Sequence, residues 1–199
     1  MINENRLKMN LPKLILASGS PRRVEILTSV GWAFSKEVPD VDESEIDGER
    51  PGAYVRRLSE SKAAAVAASY PGQLVLGADT TVVIDNQIIG KPVDDEHAES
   101  MIRLLSGRWH EVLTGVAVMK DGRVKVGLQR TSVKFAELSD EEIRFLVEHG
   151  EPLDKAGAYA VQAQAALFIE KIDGDYWNVV GLPISLVYKL VTEIENSPN

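Results

Sequence analysis

Apolar positions fall into two patterns along the chain: short unbroken runs, and longer stretches in which they recur every three to four residues. Lys13 followed by Leu14-Ile15-Leu16-Ala17 is of the first kind and predicts a short buried strand. Ser18-Gly19-Ser20-Pro21 breaks the run, after which Val24, Ile26 and Leu27 follow at helical spacing. Strand, tight loop and helix are therefore expected, with Ser20 at the N-cap, Pro21 at the first helical position and the end near Gly31. Acidic, turn-rich Asp40–Glu49 reads as a loop, and a helix from about Tyr54 to Ser69 is ended by Pro71-Gly72. Gln73–Gly77 and Thr80–Ile84 are rich in strand formers, with Gly77-Ala78-Asp79-Thr80 expected at a bend between them. Asp85-Asn86 then suits a hairpin turn into Gln87-Ile88-Ile89.

Farther on, Ala98, Met101, Ile102, Leu104 and Leu105 mark a helix over Asp94–Ser106 that Gly107 closes. Val112–Met119 and Arg123–Phe135 read as two strands about an Asp121-Gly122 turn. Ser139 with Glu142 three residues on is a capping-box pattern for a helix ending at Gly150. Ala166–Ile172 is strand-like, Asp173-Gly174 turns the chain, and Pro183–Ile194 reads as a C-terminal helix. Strands and helices alternate at first and strands then pair through hairpins, so the class is α/β with a mixed sheet.

Composition narrows the function classes. The chain has 199 residues, 44% of them hydrophobic and 26% charged, enough to bury one substantial core, and no linker divides it. A net charge of −8 argues against a general nucleic-acid or membrane-surface binder, so a polyphosphate ligand has to meet a local basic patch. The absence of cysteine excludes disulfides, thiol catalysis and cysteine-held metals and fits a cytoplasmic protein, as does a polar leader without an apolar core.

Four segments carry candidate chemistry. Ser18-Gly19-Ser20-Pro21-Arg22-Arg23 brings hydroxyls, free backbone N–H groups and two guanidinium forks to a helix N-terminus, a place that favours phosphate. Asp79, set among Val75, Leu76, Val82 and Val83, is costly to bury unless paired, hydrogen-bonded or metal-bound, and Lys91 after the hairpin is expected near it across the sheet edge; a turn aspartate capping the backbone and a surface lysine are the ordinary alternatives. The stretch Glu151–Gln162 is neither clean helix nor clean strand; Gln162 has the paired donor and acceptor to read a base edge, and Tyr159 the ring to pack on one. Asp42 and Glu43 in the acidic loop have the oxygens for a hard cation, and Lys62 lies on the next helix. For the last three residues the ordinary alternative is a solvated side chain. His97, His110 and His149 show no metal-ligand spacing.

Read in order, Leu16-Ala17-Ser18-Gly19-Ser20-Pro21-Arg22-Arg23, Gly77-Ala78-Asp79-Thr80, Gly90-Lys91-Pro92, Leu105-Ser106-Gly107, His110–Gly115, Asp154–Tyr159 and Asn178–Pro183 resemble the Maf family of nucleoside triphosphate pyrophosphatases. The resemblance runs from about Leu14 to Leu190 and leaves residues 1–11 as a polar extension before a single domain over 12–199. It implies an elongated mixed α/β fold like that of inosine triphosphate pyrophosphatases, with two lobes around a nucleotide cleft. It also implies metal-dependent cleavage of a nucleoside triphosphate to the monophosphate and diphosphate, with Mg²⁺ as the metal and Mn²⁺ or Co²⁺ as alternatives. Asp79 matches the family's catalytic acid, Ser18, Arg22, Arg23, Lys62 and Lys91 its phosphate-binding positions, and Glu43, with Asp79, the expected metal ligands. Lys155–Gln162 is similar to the branch acting on dTTP and UTP, with Arg22, Thr80 and Gln162 at specificity positions, although Ala163 stands where that branch carries glycine. Homodimerisation is implied as well. A regulatory nucleotide-binding role in cell division and a preference for purine or 7-methyl-GTP substrates are the alternatives.

Overall fold

The computed structural model describes residues 11–197. The polar extension assigned to residues 1–11 lies outside them except for Leu11, which packs against the main core. Seven strands form one mixed sheet: β1 (Leu14–Ala17), β2 (Phe34–Glu37), β3 (Leu74–Ile84), β4 (Gln87–Ile89), β5 (Trp109–Lys120), β6 (Arg123–Phe135) and β7 (Ile169–Asp173). The strand order is β2-β1-β3-β5-β6-β7; β1 is parallel to both β2 and β3, and the pairs from β3 through β5 and β6 to β7 are antiparallel. Six helices flank it: α1 (Pro21–Ser29), α2 (Pro51–Ala67), α3 (Asp95–Leu105), α4 (Asp140–His149), α5 (Tyr176–Val180) and α6 (Ile184–Asn196).

The expected α/β class with a mixed sheet and flanking helices is what the chain adopts, and several local expectations need correction. β2 was not anticipated, because Phe-Ser-Lys-Glu has a single apolar residue; its place beside β1 comes from parallel backbone pairing. Residues 164–167 form a 3₁₀ turn, so the last strand starts at Ile169. α2 begins at Pro51, three residues before the expected start. Ser20 occupies the N-cap of α1 without a capping hydrogen bond from its side chain. The capping box of Ser139 and Glu142 is present as read.

The most consequential correction concerns β3, which runs unbroken through Gly77-Ala78-Asp79-Thr80 and pairs with β5 from Val75 to Val83. Its opposite edge is divided. Leu74–Gly77 pair with β1, Val82–Ile84 pair with β4, and residues 78–81 between them have no strand partner on that edge. The break foreseen in the strand is thus a fork between its neighbours.

Alternation puts Leu74, Leu76, Ala78, Val82 and Ile84 in the larger core, with α1, α3, α4 and α6. Val75 and Val83 face α2 on the other side, in smaller clusters with Ala63, Val66 and Val55. Gly77 and Gly115 allow α2 to lie almost on the sheet. A Cβ at Gly77 would stand 2.2 Å from the Ser59 carbonyl oxygen, and one at Gly115 would stand 2.1 Å from that of Val55. Glycine there serves close approach and not a bend.

Candidate active site

The fork creates the site. β1 ends opposite Gly77 and releases the Ser18–Arg23 loop, while β4 ends opposite Val82 and releases Gly90-Lys91. A cavity of about 530 Å³ opens between them, lined among others by Ser18, Arg22, Arg23, Glu43, Lys62 and Asp79. Thr80, Lys91 and Gln162 line it as well, so the candidate site residues other than Asp42 reach one cavity, whereas Asp42 accepts from Ser44 within its own loop.

Asp79 points to the α2 face, where it is only 7% exposed. The Lys62 ammonium, itself 8% exposed, donates to Asp79 Oδ1 at 2.7 Å and lies 2.8 Å from Glu43 Oε1. Of the ways in which an aspartate in this apolar setting can be buried, the structure uses pairing with a cation. Glu43 is held in place from α2: the Tyr54 hydroxyl donates to its main-chain carbonyl at 3.0 Å, and Arg57 spans the loop to the Glu49 carboxylate and the Ser44 carbonyl. Burial, reinforced by the negative charges of Asp79, Glu43 and Glu45, pushes the Tyr54 phenol up to about 12, so it stays a neutral donor.

On the opposite face, Thr80 meets Arg23. The guanidinium Nε donates to the Gly181 carbonyl at 2.9 Å, one terminal nitrogen to Ser18 Oγ at 2.9 Å and the other to Thr80 Oγ1 at 3.1 Å. Burial lowers the Arg23 pKa, opposed chiefly by Asp79. Three of its five N–H groups are committed to protein acceptors, and one remains on each terminal nitrogen. Arg23 is therefore first a tie between α1, β3 and the turn after α5. Arg22 is bound across the cavity instead, donating to Asp154 Oδ2 at 3.0 Å and to the Asp154 carbonyl at 3.1 Å. Lys91 is exposed, and among the described residues it makes no ion pair. Gln162 is exposed at the cavity wall.

Sequence reasoning missed Tyr54 and Asp154 as parts of this arrangement. Asp154 lay within a stretch already singled out, but its partner Arg22 is 132 positions away and no local pattern joins them. Tyr159, considered as a platform for a ring, is 7% exposed, and its hydroxyl lies 2.7 Å from His110 Nε2. Burial pushes the His110 imidazole down to about 4 and the Tyr159 phenol well above its ordinary range.

Glu43 and Asp79 converge on one ammonium, which shows that their oxygens can share a cation. Among the described residues no three or more His, Cys, Asp or Glu side chains form a closed metal nest. An open pair of carboxylates completed by phosphate oxygens and water is the usual manner of holding Mg²⁺ beside a polyphosphate.

A family model described as Maf-like protein matches residues 13–194. The chain is 50% identical to a dTTP/UTP pyrophosphatase of Symbiobacterium thermophilum, over 92% of this chain and 94% of that one. It is 47% identical to the dTTP/UTP pyrophosphatase of Hahella chejuensis over 91% and 92% of the two chains, and 45% identical to that of Bacillus cereus over 94% and 90%. Among solved structures the fold is similar to that of the Staphylococcus aureus Ham1 protein, with a TM-score of 0.52 at 15% identity over 92% of this chain and 98% of that one. No described helix is long and apolar enough to cross a membrane.

Proposed function

The chain belongs to the Maf-like protein family, and from that premise we propose that it hydrolyses nucleoside triphosphates, dTTP and UTP foremost, to the monophosphate and diphosphate. The observation that carries the reading is the buried Asp79 carboxylate, lining a cavity whose cations come from two helices and two loops. Relatives at 45–50% identity over nearly the whole chain bear the name dTTP/UTP pyrophosphatase.

In this reading a water oxygen attacks the α-phosphorus, the bond from that phosphorus to the α–β bridging oxygen breaks, and diphosphate leaves with that oxygen. Asp79 takes the proton that the water loses. Lys91, which has no protein counter-ion among the described residues, meets the triphosphate tail together with Arg22 and the unused N–H groups of Arg23. Lys62 neutralises Asp79 and Glu43 before substrate arrives and sets the position of the base. Glu43 and Asp79 would hold Mg²⁺, with Mn²⁺ or Co²⁺ as substitutes; the ion supplies neutralisation of developing phosphate charge and a more acidic water. Gln162 and Thr80, which line the cavity and match the branch's specificity positions, contact the base and sugar in this reading. The reading includes a homodimer, as the family resemblance implies, and a cytoplasmic location, which the absence of cysteine fits.

The test is a panel of triphosphates with Mg²⁺, scored for the phosphorus product. Diphosphate from dTTP and UTP is expected, and orthophosphate would refute the reaction. Asp79→Asn is expected to lower kcat about 10²–10⁴-fold; full activity in that variant would remove Asp79 from the role of base.

A further inference from the structure

We propose that Asp154 is a positioning residue that fixes the Arg22 guanidinium in its working orientation and thereby sets substrate discrimination; this rests on the pyrophosphatase reading above. Arg22 sits in the first turn of α1, at the phosphate loop, whereas Asp154 ends the 3₁₀ turn Pro152–Asp154, just before the segment that carries Tyr159, Ala160 and Gln162 to the cavity wall. The contact between them joins the part of the cavity suited to the triphosphate to the part suited to the base. It uses two acceptors of one residue, a carboxylate oxygen and the main-chain carbonyl, on two different guanidinium nitrogens. Two such contacts set the plane of the fork as well as its place.

Asp154 is itself held independently of Arg22. The Lys155 ammonium donates to Asp154 Oδ1 at 2.7 Å and also to the Glu151 carbonyl, and the Lys155 side chain is 9% exposed. Burial draws the Asp154 carboxyl upward, but its contacts with Lys155 and Arg22 outweigh burial and leave it below the usual carboxylate range. The segment is then clamped to the other phosphate loop, because the Gly157 N–H donates to the Gly90 carbonyl at 2.9 Å. Gly157 has φ +70°, and a Cβ there would stand 2.8 Å from Val82 Cγ2, so glycine is required for this docking. Asp154 is thus pinned from two sides before it meets Arg22, and the guanidinium keeps three further N–H groups for a ligand. A long, flexible side chain is ordered in advance of binding, which removes the entropy that binding would otherwise spend on it.

The experiment is a double-mutant cycle on the full chain with dTTP, UTP and dCTP, using Arg22→Ala, Asp154→Ala and the double variant, with Asp154→Asn as the shape-preserving second variant and thermal melts of each. Asp154→Ala is expected to raise KM for dTTP about tenfold with kcat within about twofold, and to narrow the preference for dTTP over dCTP. The double variant is expected to be no worse than Arg22→Ala alone, since Asp154 acts through Arg22. Asp154→Asn keeps the main-chain contact but offers one acceptor oxygen to two cations, so its KM is expected to fall between wild type and Asp154→Ala. Additive effects, or a loss in kcat of equal size for all three substrates, would overturn the proposal while leaving the pyrophosphatase reading intact. It also falls if both single Asp154 variants melt below the assay temperature, since Asp154 is then a fold residue. A wild type that neither binds nor cleaves dTTP would overturn the parent reading, and this one with it.

Discussion

Asp79 lies in a strand between Val75-Leu76 and Val82-Val83, and its buried carboxylate is paired by Lys62, which reaches it from α2 and is shared with Glu43. Removing the ammonium leaves the buried Asp79 carboxylate without its counter-ion and facing the half-exposed carboxylate of Glu43. Lys62→Met is expected to destabilise the protein by about 3 kcal/mol, read as a lower urea midpoint at unchanged m. His110 carries a separate prediction. Its pKa falls from 6.5 in the unfolded chain to about 4 in the fold, so the unfolded state binds more protons between those values. Stability is therefore fully present above about pH 6.5 and is lost as the pH falls toward 4, by on the order of 3 kcal/mol at about 1.4 kcal/mol per pH unit. Urea unfolding at a series of pH values checks this, and His110→Asn is expected to flatten that part of the profile. At this scale the sequence was most readable where a residue contradicted its surroundings: an aspartate in a strand, or two arginines at a helix start. Asp154 contradicts nothing locally, and only folding brings it to Arg22.

Secondary structure follows the apolar periodicity wherever side chains decide it, as in α3, α4, β5 and β6. Where the backbone decides, periodicity is silent: β2 has almost no apolar content, and β3 continues through a glycine that suggested a bend. The reason for Gly77 and Gly115 is the helix above them, whose carbonyls occupy the space of a side chain. That close approach is also what lets Lys62 reach Asp79. Gly115→Ala is expected to cost about 1–3 kcal/mol by overpacking, and to lower Tm by roughly 2–4 °C per kcal/mol. Because the displaced helix carries Lys62, kcat is expected to fall together with Tm, whereas a core variant remote from the helix, such as Ile143→Val, would lower Tm alone.

The whole molecule is acidic, with a net charge of −8, yet the cavity gathers Arg22, Arg23, Lys62 and Lys91 at one point of the sheet. Its walls come from residues 18–91 on one side and 112–181 on the other, so a nucleotide bound there would bridge distant parts of the chain. A substrate analogue with a non-hydrolysable α–β bridge, at 100 times its Kd with Mg²⁺, is expected to add about 2.7 kcal/mol and raise Tm by roughly 5–10 °C, with the rise reduced when EDTA removes the ion. Differential scanning calorimetry checks both arms. The class of the sheet could be read from the order of runs and turns, but its divided edge could not, since strand pairing is a long-range choice. That edge has a practical reading. β1 and β4 hang on opposite halves of β3 and share no ladder hydrogen bond, so each loop is anchored to β3 by its own strand while the 154–157 segment bonds to both. A cassette replacing residues 85–93 would leave the ladders of β1 and β5 on β3 in place, but would have to supply a carbonyl at position 90 for the Gly157 N–H and a cation at position 91.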